Sequence, residues 1–179
     1  MKKILFVLMI GTVFILSSCS SIKKEDILVE LGLGGLTAKE ILNGIASNEI
    51  TISNYTISVT DDVLLINYDN KNISLEMPKD EFYISVAPYI DMTHECFFHS
   101  PTECRAELSN ESFYITLIDL EGNIVLDSYY ESLNNGFIDF WLPRDIEGVL
   151  SITYGDLTSV KMISTFSGDA TCETTFKLT

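Results

Sequence analysis

The chain has 179 residues, of which 46% are hydrophobic. That suffices for one or two small domains with a packed core and excludes an extended disordered chain. Its 11 basic and 26 acidic side chains give a formal net charge of −15. Such a surface repels nucleic acid and anionic lipid, so neither is an expected partner. It collects divalent cations weakly and without selectivity, because carboxylates are hard ligands.

Met1-Lys2-Lys3 opens the chain, the apolar run Ile4 to Leu16 follows, and Ser17-Ser18-Cys19 closes it. A basic start, a short apolar core and small residues describe a secretory signal. The run is short for a membrane span. Leu16-Ser17-Ser18-Cys19 resembles a bacterial lipoprotein box, which implies cleavage before Cys19 and diacylation of its sulfur. Two acyl chains hold a protein on a membrane where one is marginal. The plainer alternative is a secretory signal with Cys19 as a bystander. Cleavage removes two lysines, leaving 9 basic against 26 acidic side chains and a charge of −17.

Residues 20–26 are polar and read as a tether, so the anchor segment spans 19–36. The glycines at 32, 34 and 35 lack the Gly-Lys-Ser/Thr ending of a phosphate loop. Thr37 and Glu40 fit a capping box. Ala38, Ile41, Leu42 and Ile45 then follow at helical spacing. Strand signals come next, at Tyr55 to Thr60, Val63 to Tyr68 and Ile73 to Met77. Pro78-Lys79-Asp80 punctuates the chain, so a helix-plus-strands region is expected over 37–80.

Residues 81–179 read as all β. Strands are expected at Phe82 to Val86, Phe113 to Leu120, Asn123 to Tyr130, Phe137 to Leu142, Val149 to Tyr154, Leu157 to Phe166 and Cys172 to Leu178. Seven short strands with regular turn signals predict a small antiparallel sandwich. The fold class is therefore α+β, mainly β: a small N-terminal helix-plus-strands part, then a sandwich-like C-terminal domain. Trp141 is expected to anchor its core, and Arg144 and Asp145 to form an exposed ion pair.

Soft ligands concentrate between Phe82 and Glu107. Both histidines of the protein, His94 and His99, lie there with Cys96 and Cys104. Cys172 lies near the C-terminus. His94 and Cys96, two apart, face the same way on an extended segment. Export matters here, because thiols outside the cytoplasm tend to be oxidised in pairs. Once Cys19 carries lipid, three cysteines remain, and an odd count implies a free thiol, an intermolecular bridge or a metal site. The residues leave two readings open. Cys96, Cys104 and Cys172 meet and bind a soft ion, with His94 or His99 nearby. Otherwise a Cys96–Cys104 disulfide staples a loop and Cys172 is a small buried apolar residue. Thiolates suit Cu(I), and Zn(II) is the runner-up.

Three blocks together resemble the CueP family of bacterial periplasmic copper-binding proteins. They are the run from Phe82 to Leu108 with its Thr-His-x-Cys-Phe-Phe-His-Ser core, Trp141-Leu-Pro-Arg-Asp145, and the terminal Thr171-Cys-x-Thr-Thr175. The resemblance covers roughly Leu36 to the C-terminus. It implies Cu(I) binding for copper resistance, storage or handover in the cell envelope. By motif position it makes Cys96, Cys104 and Cys172 the copper-linked cysteines and His94 and His99 secondary ligands. A copper-receiving or thiol-redox envelope protein and a homodimer are the implied partners. The lipid box departs from the soluble family members and weighs against a freely diffusing shuttle. The expected location is the extracytoplasmic face of the membrane. Two other functions draw on the same residues: a Cys96/Cys104 dithiol that cycles to a disulfide and reduces Cu(II) or Fe(III), and a disulfide-stapled surface domain. No serine–histidine–acid set suggests a hydrolase, so a binding protein is expected before an enzyme.

Overall fold

The computed structural model describes residues 18–179, with side chains from Lys24 onward. The expected signal sequence and the Cys19 side chain lie outside that description. Among the described residues no helix is long and apolar enough to cross a membrane. The chain forms two compact units, divided between Leu36 and Thr37.

In the first unit, helix α1 spans Ser18–Glu30, where the sequence suggests a polar tether. The stretch holds no proline or glycine, and its Lys, Glu and Leu residues are good helix formers. The Leu33 N–H donates to the Leu28 carbonyl at 2.7 Å, closing the helix end.

The second unit, Thr37–Thr179, opens with helix α2 over Ala38–Ala46. Its capping box is formed: the Thr37 N–H donates to Glu40 Oε2 at 2.8 Å, and the Glu40 N–H donates to Thr37 Oγ1 at 3.3 Å. Ala38, Ile41 and Leu42 are its buried face. Strands β1 (Thr56–Val59), β2 (Val63–Tyr68) and β3 (Lys71–Glu76) make an antiparallel sheet in the order β1-β2-β3. Asp69 and Asn70, with φ of 46° and 57°, turn the β2–β3 hairpin in the left-handed conformation that matches strand twist.

Two further sheets face each other. One holds β4 (Glu81–Val86), β7 (Ile138–Pro143) and β10 (Cys172–Glu173) in the order β10-β4-β7. The other holds β5 (Ser112–Asp119), β6 (Ile124–Glu131), β8 (Glu147–Tyr154) and β9 (Leu157–Ser164) in the order β6-β5-β8-β9. Phe82, Ile84 and Val86 of β4 and Ile138, Phe140 and Leu142 of β7 sit two apart and point one way. They bury against Phe113, Ile115, Leu117, Leu150 and Ile152 of the facing sheet. The fold is thus mainly β, as the alternation implies, with two helices among the described residues where the sequence suggests one.

The last strand is shorter than expected. Only Cys172 and Glu173 pair with β4, parallel to Ser85 and Val86. The Thr174 hydroxyl donates to the His94 carbonyl at 2.5 Å, and beyond it the pairing resumes only as an isolated parallel bridge between Tyr89 and Lys177. Arg144 also differs from its expected surface pairing with Asp145. Its guanidinium donates to the carbonyls of Pro78, Glu81 and Asp61, tying the segment before β4 to the end of β7. Trp141 is half-buried: its ring lies 5.2 Å from that of Tyr83, and its Nε1–H donates to Asn43 of α2 at 2.9 Å.

Candidate metal centre

Between β4 and β5 the chain runs through a long loop that holds four of the five candidate ligands. Backbone bonds pin it at successive points. Glu107 Oε2 accepts from the N–H groups of Ile90, Asp91 and Met92 at 2.9, 3.0 and 3.1 Å. These bonds hold the Glu107 carboxyl below its usual pKa. Nothing in the spacing of the sequence marks that clamp. Next, the Phe97 carbonyl accepts from the N–H groups of both Thr171 and Cys172, at 3.0 and 3.1 Å. This brings the loop to Cys172. The Val59 N–H then donates to the His99 carbonyl at 2.8 Å, so β1 holds His99 from the far side. The Cys104 N–H donates to Ser100 at 2.9 Å, folding Cys104 back toward Cys96.

The wall behind the loop comes from the turn before β7. Gly136 has φ of +84°, and a Cβ there would lie 2.7 Å from the Ala106 carbonyl oxygen. Only glycine permits both the left-handed backbone and the close approach. The turn seats Phe137, fully buried, with its ring centroid 4.6 Å from that of His99 and 6.1 Å from that of His94.

All five candidate ligands converge. Cys96 and Cys172 form a disulfide with a Cα–Cα distance of 5.6 Å. Cys104 is a free thiol, and its sulfur lies 3.7 Å from that of Cys96. The three sulfurs therefore meet, but the disulfide does not join the sequence neighbours Cys96 and Cys104. It joins Cys96 to Cys172, 76 residues away. The Phe97 carbonyl, shared by the Thr171 and Cys172 N–H groups, holds Cys172 beside Cys96. Two donor groups result, His94–Cys96–Cys104 and His99–Cys104–Cys172, each with its ligand atoms within 4.8 Å of one another.

The imidazoles suit a metal. His99 is fully buried, and neither ring nitrogen has a hydrogen-bond partner. His94 Nε2 is likewise buried without a partner. Each orphaned buried nitrogen costs about 1–3 kcal/mol. An ion ligated by these atoms would offset that cost. Burial, aided by the neighbouring His94, lowers the His99 pKa from 6.5 to about 3. The ring is therefore neutral at ordinary pH, as a ligand must be.

That shift predicts a pH dependence of the metal-free fold. Between about pH 3 and 6.5 the unfolded chain binds a proton at His99 that the folded chain refuses. The stability His99 permits is whole above 6.5 and is lost as pH falls toward 3, by about 1.4 kcal/mol per pH unit from this group. Urea unfolding midpoints of wild type and His99→Gln across this range would test it. The variant should show the shallower acid loss.

A cleft lined by Tyr89, His94, Cys96, Phe97, Lys161 and Thr174 opens the cluster to solvent. Phe97 and Phe98 are exposed at its edge, packed edge to face with centroids 4.9 Å apart. Two residues the spacing did not mark sit on the sheet beneath. The Ser85 hydroxyl, opposite Cys172 in the ladder, donates to Asp139 Oδ1 at 2.6 Å. Burial raises the Asp139 pKa, and burial with the nearby Asp139 raises that of Tyr83 well above its usual value.

Comparison with known proteins agrees with this site. A search of curated proteins finds no match. A crystal structure of S.CueP matches with a TM-score of 0.81 at 32% identity, covering 93% of this chain and 100% of that one. A family model described as periplasmic copper-binding protein CueP matches residues 40–177, from within α2 to two residues before the last. With the sulfur and imidazole cluster inside that span, the chain belongs to the CueP family of periplasmic copper-binding proteins.

Proposed function

We propose that this protein holds one Cu(I) ion in the cell envelope through the thiolates of Cys96, Cys104 and Cys172, with His99 or His94 completing the set. The carrying observation is the meeting of three sulfurs with two imidazoles whose buried nitrogens lack partners. Cu(I) prefers such soft donors over the carboxylates that dominate the surface. Reduction of the Cys96–Cys172 disulfide takes two electrons and two protons and frees the set. Cu(I) then displaces the thiol protons. The use is copper resistance, storage or handover, from a position fixed to the membrane by a diacylated Cys19. Globomycin-sensitive processing and a mass increment on the N-terminal peptide would test the anchor.

The direct test is an anaerobic Cu(I) titration of the reduced chain against a chromogenic chelator. One tight equivalent is expected, weakened at least a hundredfold in each of Cys96→Ser, Cys104→Ser and Cys172→Ser. Failure of the reduced protein to compete for copper removes the proposal, and Zn(II) bound in preference to Cu(I) would reassign the metal.

The disulfide favours a second use of the same site. Oxidation of the Cys96/Cys172 dithiol releases two electrons and two protons, enough to reduce two Cu(II) to two Cu(I). Stoichiometric Cu(I) appearing with loss of two thiols, and turnover with an added dithiol, would distinguish reduction from holding.

A further inference from the structure

An antiparallel sheet with one face on a core usually keeps polar residues on the other. β3 follows that rule, with Asn72, Ser74 and Glu76 exposed. The β6-β5-β8-β9 sheet does not. Leu117, Leu150 and Ile163 point into the sandwich, so Ile118, Val149 and Met162, one residue along, point out. In the ladder Ile124 pairs with Ile118, Ile118 with Val149 and Val149 with Met162. One apolar row therefore crosses all four strands on the outward face. Val160 extends it on β9, and Tyr114 and Tyr129 pack beside each other on the same face with ring centroids 5.2 Å apart. These side chains are between 38% and 72% exposed. Together they leave roughly 700 Å² in water, more than the about 300–600 Å² of the largest patch on an ordinary monomer and close to the ~800 Å² per partner of a standard interface.

The charges around the row have one sign. Asp127, Glu131 and Glu147 are exposed at its margins, along β6 and at the start of β8. Lys161 is the only basic residue on these four strands. It lies opposite the inward Leu150 and lines the cleft with Tyr89 and His94, so it does not serve this face.

We propose that the outward face of this sheet docks a second protein whose contact surface has an apolar centre and a margin of lysine or arginine. The centre of an interface is poor in charge and rich in aromatic residues and methionine, as this row is. The margin selects the partner. A second copy of this chain would set carboxylate against carboxylate and bring a further formal charge of −15. An anionic membrane is repelled in the same way. A basic margin instead pairs with Asp127, Glu131 and Glu147 and speeds encounter at low salt. Asp127 is also held in place, because its carboxylate accepts from the Tyr114 hydroxyl on this face. None of these residues belongs to the cysteine and histidine cluster, so the proposal stands apart from the metal.

The test adds a synthetic amphipathic helix of leucine and lysine to the full chain and follows binding by fluorescence anisotropy. One equivalent is expected, held at least tenfold more tightly than a serine and lysine peptide of the same length and charge. The triple variant Ile118→Thr, Val149→Thr, Met162→Thr should lose that preference, since threonine suits an exposed strand position. Asp127→Asn with Glu147→Gln should weaken binding at least threefold and flatten its dependence on salt. Glu49→Gln with Glu76→Gln, which removes two exposed acids elsewhere, should do neither. If the triple variant does not fold, the two peptides and the acid variants carry the test. Equal binding of the two peptides, or wild-type binding of the leucine peptide by the triple variant, overturns the proposal. So does a dimer in light scattering that the triple variant loses, which would give the face to a second copy. Binding to phosphatidylcholine vesicles that the triple variant loses would give it to lipid and overturn the proposal equally.

Discussion

Cys172→Ser protein purified without reductant should carry a Cys96–Cys104 bond in place of the wild-type link. The two sulfurs are already 3.7 Å apart, and removal of Cys172 frees Cys96 to pair with its neighbour. The exchange has a large and calculable effect on stability. The native bond joins residues 76 apart, and chain entropy gives such a closure about 4.5 kcal/mol. A bond between residues eight apart is worth about 2.5 kcal/mol in the same treatment. The oxidised variant should thus lose about 2 kcal/mol, with a further cost from placing serine where Cys172 is 1% exposed. Denaturant unfolding with peptide mapping would check both parts. A variant that keeps a free Cys96 and a free Cys104 would show that the loop cannot close on itself. The loss should then approach the full 4.5 kcal/mol.

That pairing is also where the sequence is hardest to read. Two cysteines eight apart in one loop suggest each other, because local closure looks cheapest. Cys172 is instead brought beside Cys96 by a backbone carbonyl, Phe97, that accepts from the N–H groups of Thr171 and Cys172. No residue type announces a carbonyl. The same limit explains Glu107, whose three backbone donors carry no side-chain signature. It also explains Asp139, which looks like any acidic residue until Ser85 and Tyr83 are placed beside it.

Much else was legible because it depends on local chemistry. Thr37 and Glu40 form their capping box from four adjacent residues. The alternation of Phe82, Ile84 and Val86 names the core face of β4 without reference to its partner. Residue type alone leaves the meeting of the three sulfurs open against a Cys96–Cys104 staple, and the resemblance to the CueP family tips the reading toward convergence. β10 misled for a physical reason. Its residues have strand character as far as Leu178, but the regular ladder with β4 stops at Glu173, and pairing resumes beyond Pro88 only as an isolated parallel bridge between Tyr89 and Lys177.

Phe137→Ala should injure the fold and the metal site together. The ring is fully buried and packs with Ala87 and Cys172, with Cys96, Cys104 and Ala106 against the same cluster. Truncating a buried phenylalanine costs about 3–5 kcal/mol, through lost transfer energy and the cavity left behind. A domain of this size has about 5–15 kcal/mol in hand, so the variant should fold but melt early. The second effect is specific to the site. Phe137 is the apolar wall against His99. Water entering the cavity would hydrogen-bond the orphaned nitrogens, and the His99 pKa should climb from about 3 toward 6.5. The imidazole would then compete for a proton as well as for metal, and lose its fixed orientation. Metal affinity should fall by about 10–100-fold, the range seen when the partners that orient a ligand are removed. Phe137→Leu separates the two effects, because it restores most of the volume and keeps water out. NMR titration of the two histidines, beside Cu(I) competition and thermal unfolding, would measure all three. An alanine variant with wild-type His99 titration would show that the ring is not what keeps that imidazole dry.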